Sequence, residues 1–314
     1  MMVLLTGATG FVGQRVARWL VGMGHQVRCL VRRTADLTNL QPLRVEIWHG
    51  DVTDPASLPG AFAGVDTVVH LVAIIREQPA RGITFQRVNA EGTRHMVAAA
   101  RQAGVRRFVH MSAIGVRDDP RYPYWHTKWL GEQAVRESGL PSVVLRPSLI
   151  FGEGDEFFTT LADLVRKPPS GLFPLAPMVP VPGRGATRFQ PIFVEDVGRC
   201  FTHLVTEERF LGQVVTIGGP DLYTYEQMLD LVMETLSRRR LKVHLPLALM
   251  RPNVWLLERL LPHPPVTTVQ LDMFPFDNVA ESLDVVERTF GFRPKRLRDE
   301  IGYIRKSTAA RHRS

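Results

Sequence analysis

A short apolar strand that runs directly into three glycines constrains the fold of this chain most strongly. Residues 3–13 read Val-Leu-Leu-Thr-Gly-Ala-Thr-Gly-Phe-Val-Gly, and a helical pattern follows at once. Gly7 allows a tight turn off the strand, and Gly10 lets the backbone approach a phosphate. Gly13 lets the helix pack closely on the sheet, so that its free N–H groups point at the phosphates. This order predicts a dinucleotide-binding site; the alternative is a glycine-rich turn that holds no ligand.

Strand and helix patterns alternate through the first half of the chain. Strands are predicted at 2–6, 26–31, 44–48, 66–72, 106–111 and 142–146, and helices at 11–22, 55–62, 85–103 and 124–138. The strands are rich in Val, Leu and Ile with little polar alternation, which is typical of a parallel sheet covered on both faces. The pattern therefore predicts an α/β fold with a doubly wound parallel (Rossmann) sheet.

The pattern changes after Gly152. Residues 151–185 form a Pro-rich loop, in which prolines exclude a regular element and the apolar residues between them favour an ordered apolar loop. The later predicted elements are a strand and a helix in 188–205, a strand at 213–217, a helix at 224–237 and a strand at 241–245. We assign 1–150, completed by 186–218, to a dinucleotide-binding domain. We assign 151–185 and 219–314 to a smaller, mostly helical C-terminal region that binds substrate or a partner.

The charge of the chain favours an anionic partner. The 314 residues carry a formal net charge of +8, which suits a phosphorylated cofactor, an anionic lipid surface or nucleic acid. No nucleic-acid motif accompanies the charge, and the basic residues are not interleaved with aromatic ones, so we expect no nucleic-acid partner. The ten histidines show no metal-ligand spacing, so we expect no metal site.

The sequence indicates a cytoplasmic protein. No apolar run approaches the roughly 18 residues of a membrane span, and the first residues form a core strand instead of a signal peptide. Cys29 and Cys200 lie far apart in apolar segments, which favours buried free thiols in a reducing compartment. Peripheral association with the inner face of a membrane stays open, as does the oligomeric state.

The end of the second strand predicts which dinucleotide is bound. The strand ends in Arg32 and Arg33, and no carboxylate follows until Asp36. A carboxylate there would hold the 2′-hydroxyl of NAD, whereas paired guanidinium groups bind a 2′-phosphate. We therefore predict NADP(H) over NAD(H), with two solvent-facing arginines as the alternative. Asp51 follows the third strand and is placed either to meet the adenine edge or to cap the helix from Pro55.

Three polar residues near the fifth strand form a candidate catalytic group. Ser112 ends that strand, and Tyr124 and Lys128 follow four residues apart, so on a helix they share one face. A nearby ammonium favours the phenolate of a tyrosine, which predicts that Lys128 lowers the pKa of Tyr124. Ser112 then orients a substrate carbonyl or hydroxyl while Tyr124 transfers the proton.

These motifs together resemble the short-chain dehydrogenase/reductase family in its extended or atypical form. That form includes proteins like the NAD-dependent epimerases and dehydratases. The resemblance rests on Thr6–Gly13, Asn89, Ser112, Tyr124 to Lys128, Arg146-Pro147 and Pro191–Val197, and covers about residues 1–218. His70–Glu77 and Phe290–Leu297 are similar to the branch that contains the NAD(P)H-binding accessory subunit of respiratory complex I. Two features depart from the family pattern. The fourth strand is followed by Leu71-Val72-Ala73 where the family usually has Asn-Ala-Gly, and the interval between Ser112 and Tyr124 contains a charged loop at residues 117–121.

The resemblance implies which residues are catalytic and which bind the cofactor. The catalytic positions are Ser112, Tyr124 and Lys128. The cofactor-binding positions are Gly7, Thr9, Gly10, Phe11, Val12, Gly13, Arg32, Arg33, Asp51, Val52, Leu71, Val72, Ala73, Asn89, Tyr124, Lys128 and Pro147.

Two functions are compatible with these residues. The first is an NAD(P)H-dependent oxidoreductase or epimerase that acts on a small apolar carbonyl or hydroxyl substrate. The second is a non-catalytic NADP(H)-binding structural, assembly or redox-sensing protein of a membrane complex or quinone pathway.

An apolar stripe at helical spacing bears on the second function. It consists of Trp255, Leu256, Leu257, Leu260 and Leu261, between Arg251 and Arg259. Core packing is its expected role. If it is exposed, docking on a membrane surface is the alternative.

Overall fold

A computed structural model describes residues 1–166, 178–260 and 266–306. The chain divides into two compact units, Met1–Pro147 with Val194–Ile217, and Ser148–Phe193 with Gly218–Ser314. Much of the predicted Pro-rich loop lies outside the described residues. In the apolar stripe, Leu261 and the side chain of Leu260 also lie outside them.

The elements alternate as the sequence predicts. The strands are β1 Met2–Thr6, β2 Gln26–Val31, β3 Val45–His49, β4 Thr67–His70, β5 Arg107–Met111, β6 Ser142–Pro147, β7 Ile150–Phe151, β8 Met178–Pro182, β9 Arg188–Phe189, β10 Ile192–Phe193, β11 Val214–Ile217, β12 Tyr223–Thr224 and β13 Leu241–Leu245. The helices are α1 Gly13–Gly22, α2 Gly92–Gln102, α3 Pro123–Arg136, α4 Phe157–Arg166, α5 Val194–Thr206, α6 Tyr225–Thr235, α7 Leu247–Leu260, α8 Thr268–Met273, α9 Val285–Phe290 and α10 Leu297–Glu300.

The first unit is built on a seven-stranded parallel sheet. Its strand order is β11-β6-β5-β4-β1-β2-β3, with β1 at the centre between β2 and β4. Leu5 of β1 lies opposite Cys29 and Val69, and such fully buried aliphatic positions explain the lack of polar alternation. The order reverses at β1, where ligands of open α/β sheets bind. The predicted doubly wound Rossmann sheet is confirmed.

Two predicted helices differ from the structure. Residues 55–62 form two short 3₁₀ turns, Pro55–Ser57 and Pro59–Phe62. The second proline lacks the N–H that a continuous helix would need, and Gly60 adds flexibility. The helix predicted at 85–103 begins with a π-helical segment, Gln86–Glu91, before α2.

The second unit combines helices with short strand pairs. Strand β7 pairs with β10, β9 with β12, and β8 with β13. Residues 186–193 therefore belong to this unit instead of completing the Rossmann unit, because β9 and β10 find their partners here. Its core is formed mainly by α4, α6 and α10, whose buried residues include Phe158, Met228 and Leu297.

The structure also corrects the prediction that the apolar stripe packs in the core. Trp255, Leu256 and Leu257 of α7 are 49%, 49% and 38% exposed, so the expected core packing is wrong for these three residues. Among the described residues, no helix is long and apolar enough to cross a bilayer.

Candidate functional site

The glycine turn after β1 is held by close backbone packing. Gly7 has φ +74°, and a Cβ added there would lie 3.2 Å from the carbonyl carbon of Leu71. A Cβ on Gly13 would lie 2.0 Å from the carbonyl oxygen of Gly7, so α1 starts against the turn itself. The Gly10 N–H donates to the same oxygen at 3.0 Å. Any side chain at Gly7 or Gly13 is therefore excluded by conformation or by space.

A cavity of about 780 Å³ opens beside this turn. The residues that line it follow the carboxyl ends of β1, β2, β3 and β4. Predicted cofactor residues in the lining are Gly7, Thr9, Gly10, Arg32, Arg33, Asp51, Val52, Leu71, Val72 and Ala73. The other predicted residues, Phe11, Val12, Gly13, Asn89, Tyr124, Lys128 and Pro147, do not line it. The left-handed glycine, the open approach at Gly10 and the mixed apolar and cationic walls fit a dinucleotide.

The cationic part of the lining is larger than the sequence predicts. Arg32 and Arg33 are exposed, and their side chains form no hydrogen bond or ion pair within the described ranges. Asp36 is not in the lining, and its carboxylate accepts from the N–H of Thr38 at 2.9 Å. Arg81 and Arg87 also line the cavity. They come from the segment between β4 and α2 but lie outside its motif residues, His70–Glu77 and Asn89. The one sequence signal for Arg81 and Arg87 is that this segment follows the carboxyl end of β4.

Two predicted cofactor residues use their side chains for local hydrogen bonds. Asp51 Oδ1 accepts from both the N–H and the hydroxyl of Thr53 at 2.8 Å. Asp54, and not Asp51, caps the turn at Pro55 through the N–H of Ala56. The amide of Asn89 holds the backbone of Ile74, accepting at 2.9 Å and donating at 3.2 Å. Asn89 therefore shapes the cavity through Ile74, which lines it.

Two of the three candidate catalytic residues, Ser112 and Lys128, lie at the carboxyl end of β5. Lys128 Nζ donates to the carbonyl of Met111 at 2.6 Å, which places the ammonium next to Ser112. The N–H of Ser112 donates to the carbonyl of Leu145 at 2.7 Å. Its hydroxyl is buried, and no described group is within hydrogen-bonding reach of it. Tyr124 lies one turn before Lys128 on α3, with its ring edge-on to Phe85 at 5.8 Å between centroids.

Burial shifts both titrating groups of this cluster toward their neutral forms. It raises the pKa of Tyr124 to about 12. It lowers the pKa of Lys128 to about 8, an effect that the Glu132 carboxylate opposes. The predicted lowering of the tyrosine pKa by Lys128 is not seen, because desolvation of the phenol dominates. The phenol of Tyr124 is therefore neutral at physiological pH.

Two buried histidines lie at the ends of the neighbouring strands. The rings of His70 on β4 and His110 on β5 stack with centroids 5.5 Å apart. His70 Nδ1 lies 2.8 Å from the hydroxyl of Thr6, and its Nε2 lies 3.1 Å from the hydroxyl of Thr93. Neither ring nitrogen of His110 has a hydrogen-bond partner within the described residues. Burial, with the charge of Lys128 second, lowers the pKa of His70 to about 3 and also lowers that of His110.

No metal chemistry accompanies these groups in the described part of the chain. There, no group of three or more His, Cys, Asp or Glu side chains is placed to hold a metal ion. Cys29 and Cys200 are both free and buried, as the sequence indicates.

The parallel sheet, the left-handed glycine turn and the cavity at the switch point define an NAD(P)-binding α/β fold. The model of the NAD dependent epimerase/dehydratase family matches residues 3–218. The chain belongs to this family.

Its relatives include both reductases and subunits of a respiratory complex. Ceramide reductase of Caulobacter vibrioides is 35% identical over 198 residues, which cover 62% of this chain and 58% of that protein. This chain therefore spans little more than half the length of that reductase. The NADH-ubiquinone oxidoreductase 40 kDa subunit of Neurospora crassa is 22% identical over 292 residues, covering 92% of this chain and 74% of the subunit. The crystal structure of gox2253 is similar with a TM-score of 0.74 and 26% identity, covering 96% of both chains.

Proposed function

We propose that this protein is an NADPH-dependent reductase of an apolar carbonyl compound. The observation that carries the proposal is the Ser112 hydroxyl, which is buried and without a hydrogen-bond partner in the described structure. Ser112 directly follows Met111, whose carbonyl holds the Lys128 ammonium. A buried hydroxyl without a partner is costly. A substrate carbonyl oxygen at this position would accept its hydrogen bond.

The chain's own residues supply the proton and its environment. Ser112 orients the carbonyl, and the neutral phenol of Tyr124 donates a proton to the oxygen as negative charge develops there. Lys128 stabilises the phenolate that remains, since its ammonium is fixed at the end of β5 by the Met111 carbonyl. A bound NADPH supplies the hydride that completes the reduction. Gly7, Gly10 and Thr9 would hold its phosphates, and Arg32 with Arg33 its 2′-phosphate.

The relatives favour an apolar substrate. Ceramide, named in one reductase relative, is a lipid. A lipid-like substrate of this kind carries its carbonyl on a long alkyl chain, which distinguishes it from a sugar.

The test is turnover by the purified full chain. Loss of reduced-nicotinamide absorbance is followed with a β-oxo ester of a long-chain fatty acid, a quinone and a nucleotide sugar. We expect NADPH oxidation with the oxo ester and none with the sugar. If NADPH binds but no carbonyl compound is reduced, the reductase proposal is wrong.

A second candidate, a non-catalytic NADP(H)-binding protein of a respiratory complex, is favoured by one observation. The similarity to the Neurospora crassa 40 kDa subunit extends over 92% of this chain, whereas the match to ceramide reductase covers 62%. This candidate predicts a cofactor that copurifies, exchanges slowly and is never oxidised. The turnover experiment therefore separates the two candidates.

The cofactor preference is tested at the end of β2. Arg32→Gln combined with Arg33→Gln is expected to weaken NADPH binding about 30–1000-fold, because each of the two lost charge-assisted hydrogen bonds contributes about 1–2 kcal/mol at an exposed site. NADH binding is expected to change less than about threefold, since NADH lacks the 2′-phosphate. Both dissociation constants are measured by titration calorimetry. Arg101→Gln, an exposed arginine on α2, is the matched control. Equal losses for both cofactors would contradict the 2′-phosphate assignment.

The pH dependence of reduction follows from Lys128. Its ammonium loses a proton as the pH rises through about 8, while Tyr124, with a pKa of about 12, stays protonated. We therefore expect kcat/KM for reduction to be constant near neutral pH and to fall about tenfold per pH unit above about pH 8. A rate profile that shows no break near that pH would exclude a charged Lys128 from the reaction.

A further inference from the structure

Helix α7 turns its leucines toward solvent. Leu249 is 63% exposed and Leu256 is 49% exposed. These two residues are seven positions apart, so they lie on one face of the helix, with Pro252 between them. Val254, on the other side, is buried. An amphipathic helix usually packs such an apolar face against the core of the protein. The exposure of this face therefore indicates a role other than core packing.

The polar side of α7 is the side that is fastened to the protein. Arg251 forms an ion pair with Asp272 of α8. Glu258 accepts a hydrogen bond from the N–H of Thr268, at the start of α8, at 3.0 Å. These contacts fix the rotation of the helix, so the exposure of Leu249 and Leu256 follows from specific bonds.

The segment that carries the exposed face is cationic. Lys242 is paired with Glu226 and Asp230, and Arg251 with Asp272. Four other basic side chains in residues 238–260 have no ion pair with a described carboxylate, and they are Arg238, Arg239, Arg240 and Arg259. The guanidinium of Arg259 lies 3.8 Å from the centroid of the Trp255 ring, which is itself 49% exposed. A tryptophan and an arginine stacked at the edge of a leucine face suit the boundary between lipid headgroups and acyl chains.

We propose that the leucine face of α7 docks on an anionic lipid surface. The guanidinium of Arg259 at the edge of the face, with Arg238, Arg239 and Arg240 in the same segment, complements acidic headgroups, and the leucines insert shallowly below them. One helical face is much smaller than the roughly 20–30 residues a side of a stable protein interface, which favours lipid over a protein partner. This docking goes beyond the proposed reductase function and does not depend on turnover.

The test is flotation of the full chain with vesicles at low salt. Wild-type protein is expected to float with vesicles of phosphatidylglycerol and phosphatidylcholine, and to float at least tenfold less with phosphatidylcholine alone. Leu256→Glu is expected to lower the partition coefficient on the anionic vesicles about 10–100-fold, which corresponds to loss of one inserted leucine. Leu283→Glu is the matched control, because Leu283 is 48% exposed in the same unit and lies outside α7. Both variants change exposed residues, and circular dichroism checks their folding.

Three outcomes would overturn the proposal. Wild-type protein that stays in solution with anionic vesicles excludes lipid docking, and equal flotation of Leu256→Glu excludes this face. Equal binding to neutral and anionic vesicles contradicts the headgroup assignment. Light scattering without lipid that shows a wild-type dimer and a Leu256→Glu monomer would instead assign the face to a second copy of the chain.

Discussion

Tyr124→Phe is expected to lower kcat for carbonyl reduction by about 10²–10⁴-fold, the range in which a positioned general acid contributes. The variant keeps the aromatic ring, so the edge-on contact with Phe85 is retained. It removes only the hydroxyl, whose pKa of about 12 makes it the neutral donor of the site. NADPH affinity is expected to fall by no more than about fivefold, since one neutral hydrogen bond contributes only about 1 kcal/mol.

The control for this variant lies two residues earlier. Tyr122→Phe makes the same chemical change on a tyrosine whose ring packs against Trp125. Its kcat is expected to stay within about twofold of wild type, because a change outside the reacting groups leaves transition-state binding unaltered. Single-turnover rates separate the chemical step from product release. Full activity of Tyr124→Phe would assign the proton donor to another group, and a large loss of NADPH binding would make Tyr124 a cofactor-binding residue.

The sequence predicts the sheet well because the sheet depends on local patterns. Strands β1 and β2 end where mostly apolar runs meet the polar or glycine residues that follow them. The glycine turn is equally predictable from the sequence, since the positive φ of Gly7 and the lack of space at Gly13 require glycine. Where the pattern is ambiguous the prediction fails: Pro59 and Gly60 divide an apparent helix into two turns.

The site is less predictable because its details depend on contacts between distant residues. The sequence shows that Asn89 is polar, but only the fold brings its amide to the backbone of Ile74. Periodicity shows that Leu249 and Leu256 share a face, but not whether another element covers that face. Likewise, four-residue spacing aligns Tyr124 with Lys128, whereas the desolvation that raises the tyrosine pKa comes from the surrounding fold.

The stacked pair His70 and His110 predicts a large loss of stability in mild acid. In the unfolded chain each imidazole titrates near its ordinary pKa of about 6.5. In the fold, burial lowers the pKa of His70 to about 3 and also lowers that of His110. Below about pH 6.5 the unfolded chain therefore binds about two more protons than the native protein, so the free energy of unfolding falls as the pH falls. Well below pH 6.5 the loss approaches about 2.7 kcal/mol per pH unit for the pair, and it amounts to roughly 3 kcal/mol between pH 6.5 and 5.

His110→Phe is expected to halve this loss. Both ring nitrogens of His110 lack hydrogen-bond partners in the described structure, so the substitution removes no hydrogen bond and keeps the ring against His70. At pH 5 the variant is expected to be about 2 kcal/mol more stable than wild type, with little difference at neutral pH, because one fewer proton is taken up on unfolding. Urea unfolding across this pH range gives the free energies, and His244→Gln controls for the loss of an exposed histidine. Parallel acid profiles for wild type and His110→Phe would show that His110 is charged in the native protein, and carboxylates would then account for the acid sensitivity.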